Sequence, residues 1–145
     1  MSDRSYVVDV NVIFSAVIRQ KEFYDQLLER CVLYTPDFAL TEMQRYRRVI
    51  LKKTKQNPEG LKKFTIRFFE KLVVLPDYLI SDETLQKATE LCADIDPKDT
   101  VYIALAIELQ LPLLTRDRVL YDGLTAKGFH LLLIFDELIN DLLRD

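Results

Sequence analysis

The chain has 145 residues, 49% of them hydrophobic and 30% charged, a balance that suits one globular domain spanning 1–145. A chain of this length buries roughly two-thirds of its unfolded surface. No stretch approaches the ~18 apolar residues of a membrane span, and the opening MSDRSYVV lacks the basic start and apolar core of a secretory signal, so a cytoplasmic protein with no membrane contact is expected. Cys31 and Cys92 are far apart, with no CxxC or histidine spacing, and are expected to be reduced core thiols, which excludes a disulfide framework or zinc site. Net charge is −3, but it is unevenly spread. Between Met43 and Lys71 ten Lys or Arg face only Glu59 and Glu70, so a basic segment is set on an acidic body.

Ser5–Val8 is short, apolar and β-branched, which predicts a strand buried on both faces. After Asn11 a helical pattern runs through Val12, Phe14, Ala16 and Val17, and a second through Phe23, Leu27 and Leu28. "CVLYTP" predicts the next strand, closed by Pro36. A helix is expected over "LTEMQRYRRVILKK", with Thr41 as N-cap and Glu42 in its first turn. "NPEG" separates it from the amphipathic "LKKFTIRFFEKL". "LVVLP" reads as the third strand and "SDETLQKATELCADI" as a capped helix. "DPKDTVYIALAIELQL" starts with Asp96 as N-cap, Pro97 at N1 and Asp99 at N3. "PLLT" is the fourth strand, "RDRVLYDGLTAKG" a helix stopping at Gly128, "HLLLIF" the fifth strand and "DELINDLLRD" the last helix. Strands alternating with helices predict an α/β domain: a parallel sheet of about five strands with helices on both faces.

Ligands of such sheets sit at the carboxyl ends of the strands. Four acids fall at that edge or at a helix start beside it: Asp9, Glu42, Asp99 and Asp117. Two like charges ~4 Å apart repel by about 4 kcal/mol at an effective dielectric near 20, so a convergent set needs an offsetting positive charge. An all-oxygen set without His or Cys suits Mg²⁺ or Mn²⁺. With His130 the sole histidine, an acid–base pair of imidazoles is excluded as a route to cutting phosphodiester.

Taken together, "VVDVNVIFSAV", "TEMQRYRR", "DPKDTVYIALAIEL" and "LPLLTRDRVL" resemble the PIN-domain ribonucleases, a family that includes the VapC-type toxins of toxin–antitoxin pairs. The resemblance spans almost the whole chain. It implies a PIN-like fold and a metal-dependent endoribonuclease leaving a 5′-phosphate. Its acidic site would be Asp9, Glu42, Asp99 and Asp117, with Asn11 and Thr115 as polar support. Asp9, Asp99 and Asp117 would hold Mg²⁺ or Mn²⁺, Glu42 serving as a ligand or orienting water. Asp96, one turn from Asp99, competes with it for the ligand role. The toxin branch further implies a homodimer and a small antitoxin partner. The chain departs from the family at Val10, where Thr or Ser is common, so one hydroxyl is missing near the site. Arginines flank Asp117 in "TRDRVL", where they could bind phosphate or pair with the acids.

Each residue also has a plain structural account. Asp9 and Asp117 suit caps or turns, Glu42 a first helical turn, and Asp99 the third position after an Asp96 cap. Arg45, Arg47, Arg48, Lys52 and Lys53 could guide RNA, meet an acidic peptide or form a solvated face. Two other functional classes remain. One is a catalytically weak PIN-like module that binds RNA or protein. The other is a haloacid-dehalogenase-type phosphatase using Asp9-Val10-Asn11, which lacks the second aspartate and a placed lysine.

Overall fold

The computed structural model describes residues 4–19, 22–54 and 58–144, the side chains of 143 and 144 excepted. Five strands, β1 (Ser5–Val8), β2 (Val32–Pro36), β3 (Val73–Leu75), β4 (Leu113–Thr115) and β5 (Leu132–Ile134), form one wholly parallel sheet in the order β3-β2-β1-β4-β5. Successive strand residues point to opposite faces, yet Tyr6, Val7 and Val8 are all buried, as are Leu113, Leu114 and Thr115. Both faces are therefore covered, which is why these strands read as unbroken apolar runs. The order reverses between β1 and β4. In an open parallel sheet that is where a crevice opens beyond the carboxyl ends.

Helices α1 (Val10–Arg19) and α2 (Glu22–Arg30) join β1 to β2, and α3 (Phe38–Arg45), α4 (Arg47–Lys53) and α5 (Pro58–Lys71) join β2 to β3. Next come α6 (Asp82–Cys92) and α7 (Thr100–Leu109), then α8 (Arg118–Ala126) and α9 (Phe135–Arg144). Helix α7 is apolar all round, with Tyr102 to Ala106 buried without interruption, because it packs on β1, β2 and β4 and under α6. Ser81 caps α6 as its sequence predicts, the side-chain oxygen accepting from the Thr84 N–H at 3.1 Å.

Three expectations are corrected. Thr41 is not a cap: α3 begins at Phe38, because Phe38, Ala39 and Met43 pack against the core and draw the helix back to Pro36. The expected single helix over 40–53 breaks at Tyr46, whose φ of −104° and ψ of 18° end α3 and start α4. Asp96 does cap through its side chain, which accepts from the Lys98 N–H at 3.1 Å, but Pro97–Asp99 is a tight 3₁₀ turn and α7 proper starts at Thr100. Of the "NPEG" separator, Asn57 lies outside the described residues with Lys55 and Gln56, and Pro58 already opens α5.

Candidate active site

At the strand-order reversal, beyond the ends of β1 and β4, lies a cleft of about 680 Å³ lined by Asp9, Asn11, Glu42, Asp96, Asp99 and Asp117 among others. The chain turns from β1 directly into α1 at Asp9. The carboxylate, 3% exposed, accepts the Val12 N–H at 3.1 Å and so caps that helix. Burial pushes its pKa up to about 6; backbone N–H groups of Val12 and Asn11 oppose that rise, while Glu42 and Asp117 add to it. Asp99 is pushed up to about 7, first by burial and then by Asp9, Asp96 and Asp117. Carboxylate oxygens of Asp96, Asp99 and Asp117 lie within 4.8 Å of one another. Asp96 and Asp99, rivals in the sequence, stand side by side. Asp9 is not in that trio, but its charge reaches Asp99.

Neighbours hold these acids in place. Asp117 accepts the Leu120 N–H at 3.0 Å and caps α8, while its own N–H donates to Thr115 Oγ1 at 3.0 Å. Thr115 is fully buried below the cleft, and Asn11 is exposed on its rim. On α3, Glu42 Oε1 accepts from the Tyr102 hydroxyl at 2.5 Å, a bond from α7 across the site. Burial, followed by Glu42, drives the Tyr102 pKa upward, so this hydroxyl stays a donor. Tyr102 sits one turn beyond Asp99, a spacing that puts both on the cleft side of α7.

Arg45, Arg47, Arg48, Lys52 and Lys53 are all exposed and make no ion pair or side-chain hydrogen bond among the described residues. Lys53 lines the cleft and the other four lie outside it. The arginines around Asp117 depart from expectation, for neither pairs with the site acids. Arg116 donates to Ser15 Oγ at 2.8 Å and to the Tyr24 hydroxyl at 3.3 Å, lies 4.7 Å from the centre of the Phe135 ring and faces Asp136 at 3.7 Å. Arg118 faces Asp122 and Glu137 at 3.7 and 3.6 Å. His130 is exposed, ahead of β5 and outside the cleft. Sequence reasoning missed Ser15, Arg19, Tyr46, Lys98 and Tyr102 in the cleft lining. Only Tyr102 carried a signal, as a polar-tipped ring three residues after Asp99 in a largely aliphatic helix.

A family model described as PIN domain matches residues 7–133, a span containing every acid of the cleft. The chain belongs to the PIN-domain family, a family of nucleases. The fold of this PIN domain is similar to the crystal structure of VapBC2 from Rickettsia felis bound to a DNA fragment from their promoter, with 17% identity and a TM-score of 0.57. That likeness covers 90% of this chain and 96% of the other and is one of fold. No curated protein matches. The donors fit the divalent cation typical of PIN domains: they are oxygens only, they crowd like charges, and burial together with that crowding leaves Asp9 and Asp99 reluctant to ionise. Among the described residues no helix is long and apolar enough to cross a membrane.

Proposed function

We propose that this PIN domain is an endoribonuclease that hydrolyses RNA phosphodiester bonds with Mg²⁺ or Mn²⁺, as the toxin of a toxin–antitoxin pair. The observation that carries the reading is the meeting of Asp9, Asp96, Asp99 and Asp117, from three separate stretches of the chain, in one cleft where Asp9 and Asp99 hold their protons to about pH 6 and 7. Caps alone give no reason for such crowding. It costs the folded state, and marginal domains keep such a cost for function.

In this reading Asp9, Asp99 and Asp117 hold the cation, and Asp96 widens the donor set beside Asp99. A divalent cation in such a set acidifies water and neutralises charge gathering on the scissile phosphate. Glu42, with one oxygen occupied by Tyr102, keeps its other oxygen to orient the attacking water. Lys53, Lys98 and Arg19 line the cleft and draw the RNA backbone to an edge it would otherwise avoid. The basic face of Arg45, Arg47, Arg48 and Lys52 extends that attraction. The similar structure is a VapBC2 assembly, which supports an antitoxin-like protein partner for this chain, and we extend the reading to a homodimer.

Incubation of the purified protein with RNA in Mg²⁺, Mn²⁺ or chelator tests the proposal, with Asp99→Asn and Asp9→Asn alongside. Cleavage that needs the cation and both carboxylates supports it. Retained RNA binding with no cleavage, and no rise in melting temperature at millimolar Mn²⁺, would leave a binding module instead.

A further inference from the structure

We infer that Tyr46 is a specificity-determining residue: it stacks an unpaired base of the bound RNA inside the cleft. The inference rests on the nuclease reading for its class of ligand. One side of the cleft is a stripe of Glu42, Tyr46, Val49 and Lys53, all lining it at spacings of four, three and four residues. Although the chain breaks between α3 and α4 at Tyr46, all four side chains still face the cleft. The stripe changes character along its length. It begins beside the acid cluster on α3, becomes aromatic at the break between the two helices, and ends in a cation at the last residue of α4. A polynucleotide has the matching order of phosphate, base and phosphate.

The ring is suited to the task. Tyr46 is 48% exposed although it lines a cleft, so much of its surface is open. It is also held, lying against Phe14 with ring centres 5.6 Å apart and planes at 84°. A platform that is both fixed and exposed gains stacking without first losing rotamer freedom. A base can reach it only when splayed from its own helix, as in loops and single strands. An apolar peptide would find a poorer match, since the apolar stretch is short and bounded by carboxylates at one end and an ammonium at the other.

The test uses Asp99→Asn protein without metal and a short single-stranded RNA carrying 2-aminopurine, with anisotropy reporting affinity and fluorescence reporting stacking. Quenching of the probe is expected. Tyr46→Phe and Tyr46→Trp should keep affinity within about twofold, whereas Tyr46→Leu should lose about tenfold or more and abolish the quench. The same sequence as a duplex should bind more weakly and ignore Tyr46→Leu. In cleavage-competent protein, Tyr46→Leu should raise KM more than it lowers kcat. An unquenched probe on the parent protein overturns the inference even if Tyr46→Leu fails to fold. Full single-strand affinity in a folded Tyr46→Leu protein also overturns it and leaves the wall as a peptide-docking face. Failure of the nuclease reading looks different: no RNA is cut with any metal, while quench and affinity still depend on Tyr46.

Discussion

The two walls of the cleft are built on opposite principles. The acidic wall is made of strand ends and helix caps: Asp9 and Asp117 each hold the first turn of a helix, Asp96 caps the turn before α7, and Thr115 is buried beneath. The other wall runs into a surface helix, α4, on which Lys53 reaches the cleft while Arg47, Arg48 and Lys52 lie outside it, and none of the four makes an ion pair or side-chain hydrogen bond among the described residues. One wall is rigid and under electrostatic strain, as a reacting centre requires. The other is adjustable and unstrained, as suits a long flexible polyanion. On the proposed function, chemistry would belong to the folded core and RNA capture to its surface, and the two should be separable by substitution.

The sharpest break should come at Asp99. Asp99→Asn is expected to lower RNA cleavage about a hundredfold or more, since it removes charge that must be met in the transition state. Metal-free protein should at the same time become more stable by on the order of 1 kcal/mol, because solvent screens part of a repulsion that burial strengthens. Urea unfolding and a cleavage assay on the same sample check both. A variant that loses activity and stability together would make Asp99 a structural residue only.

The strain also has a pH signature. The folded protein keeps protons on Asp9 and Asp99 up to about pH 6 and 7, whereas an unfolded chain releases them near 3.8. Between those limits the native state binds more protons than the unfolded one. These two groups therefore make metal-free stability fall as pH rises from about 4 to 7, and Asp99→Asn should flatten the upper part of that fall. Metal reverses the trend, because the cation requires the ionised forms and binds more tightly as pH rises through the same window. Melting curves from pH 5 to 8, with and without Mn²⁺, should diverge upward by about 2.7 kcal/mol at a hundredfold excess over Kd.

On the basic wall, reversing Arg47, Arg48 and Lys52 to Glu should weaken RNA binding roughly tenfold. It should also reduce the salt slope for single strands by up to about two. Stability should shift by less than ~0.5 kcal/mol, since these are exposed positions without partners. An unchanged slope would return α4 to a solvated face. The smallest effect is expected at Tyr102→Phe, which removes the donor held against Glu42. Cleavage should drop several-fold with KM nearly constant, and a drop shared with the chelator-treated background would dissociate Glu42 from the chemistry.

Much of this was legible in the sequence, for identifiable reasons. Buried parallel strands must be apolar on both faces, so β1 and β4 announced themselves, and an acid at the end of each is conspicuous there. The four acids could be proposed together because the carboxyl edge of such a sheet is a single place. What stayed hidden was tertiary. Nothing in "QRYRRV" breaks a helix locally, yet the chain bends at Tyr46 where α4 leaves the core to lie beside α1. The Tyr102–Glu42 bond joins residues 60 apart, and no periodicity foretells it. Arg116 looked like a ligand for phosphate because it adjoins Asp117; the alternation of strand residues turned it instead toward α1, α2 and α9.

That diversion of Arg116 ties the tail of the chain to its head. By resting its guanidinium on Phe135 while holding Ser15, the residue makes α9 a brace behind the helix that the first carboxylate caps. A protease nick just ahead of α9, or a fusion that pries it loose, should therefore be felt as a slackened catalytic edge well before the sheet itself gives way.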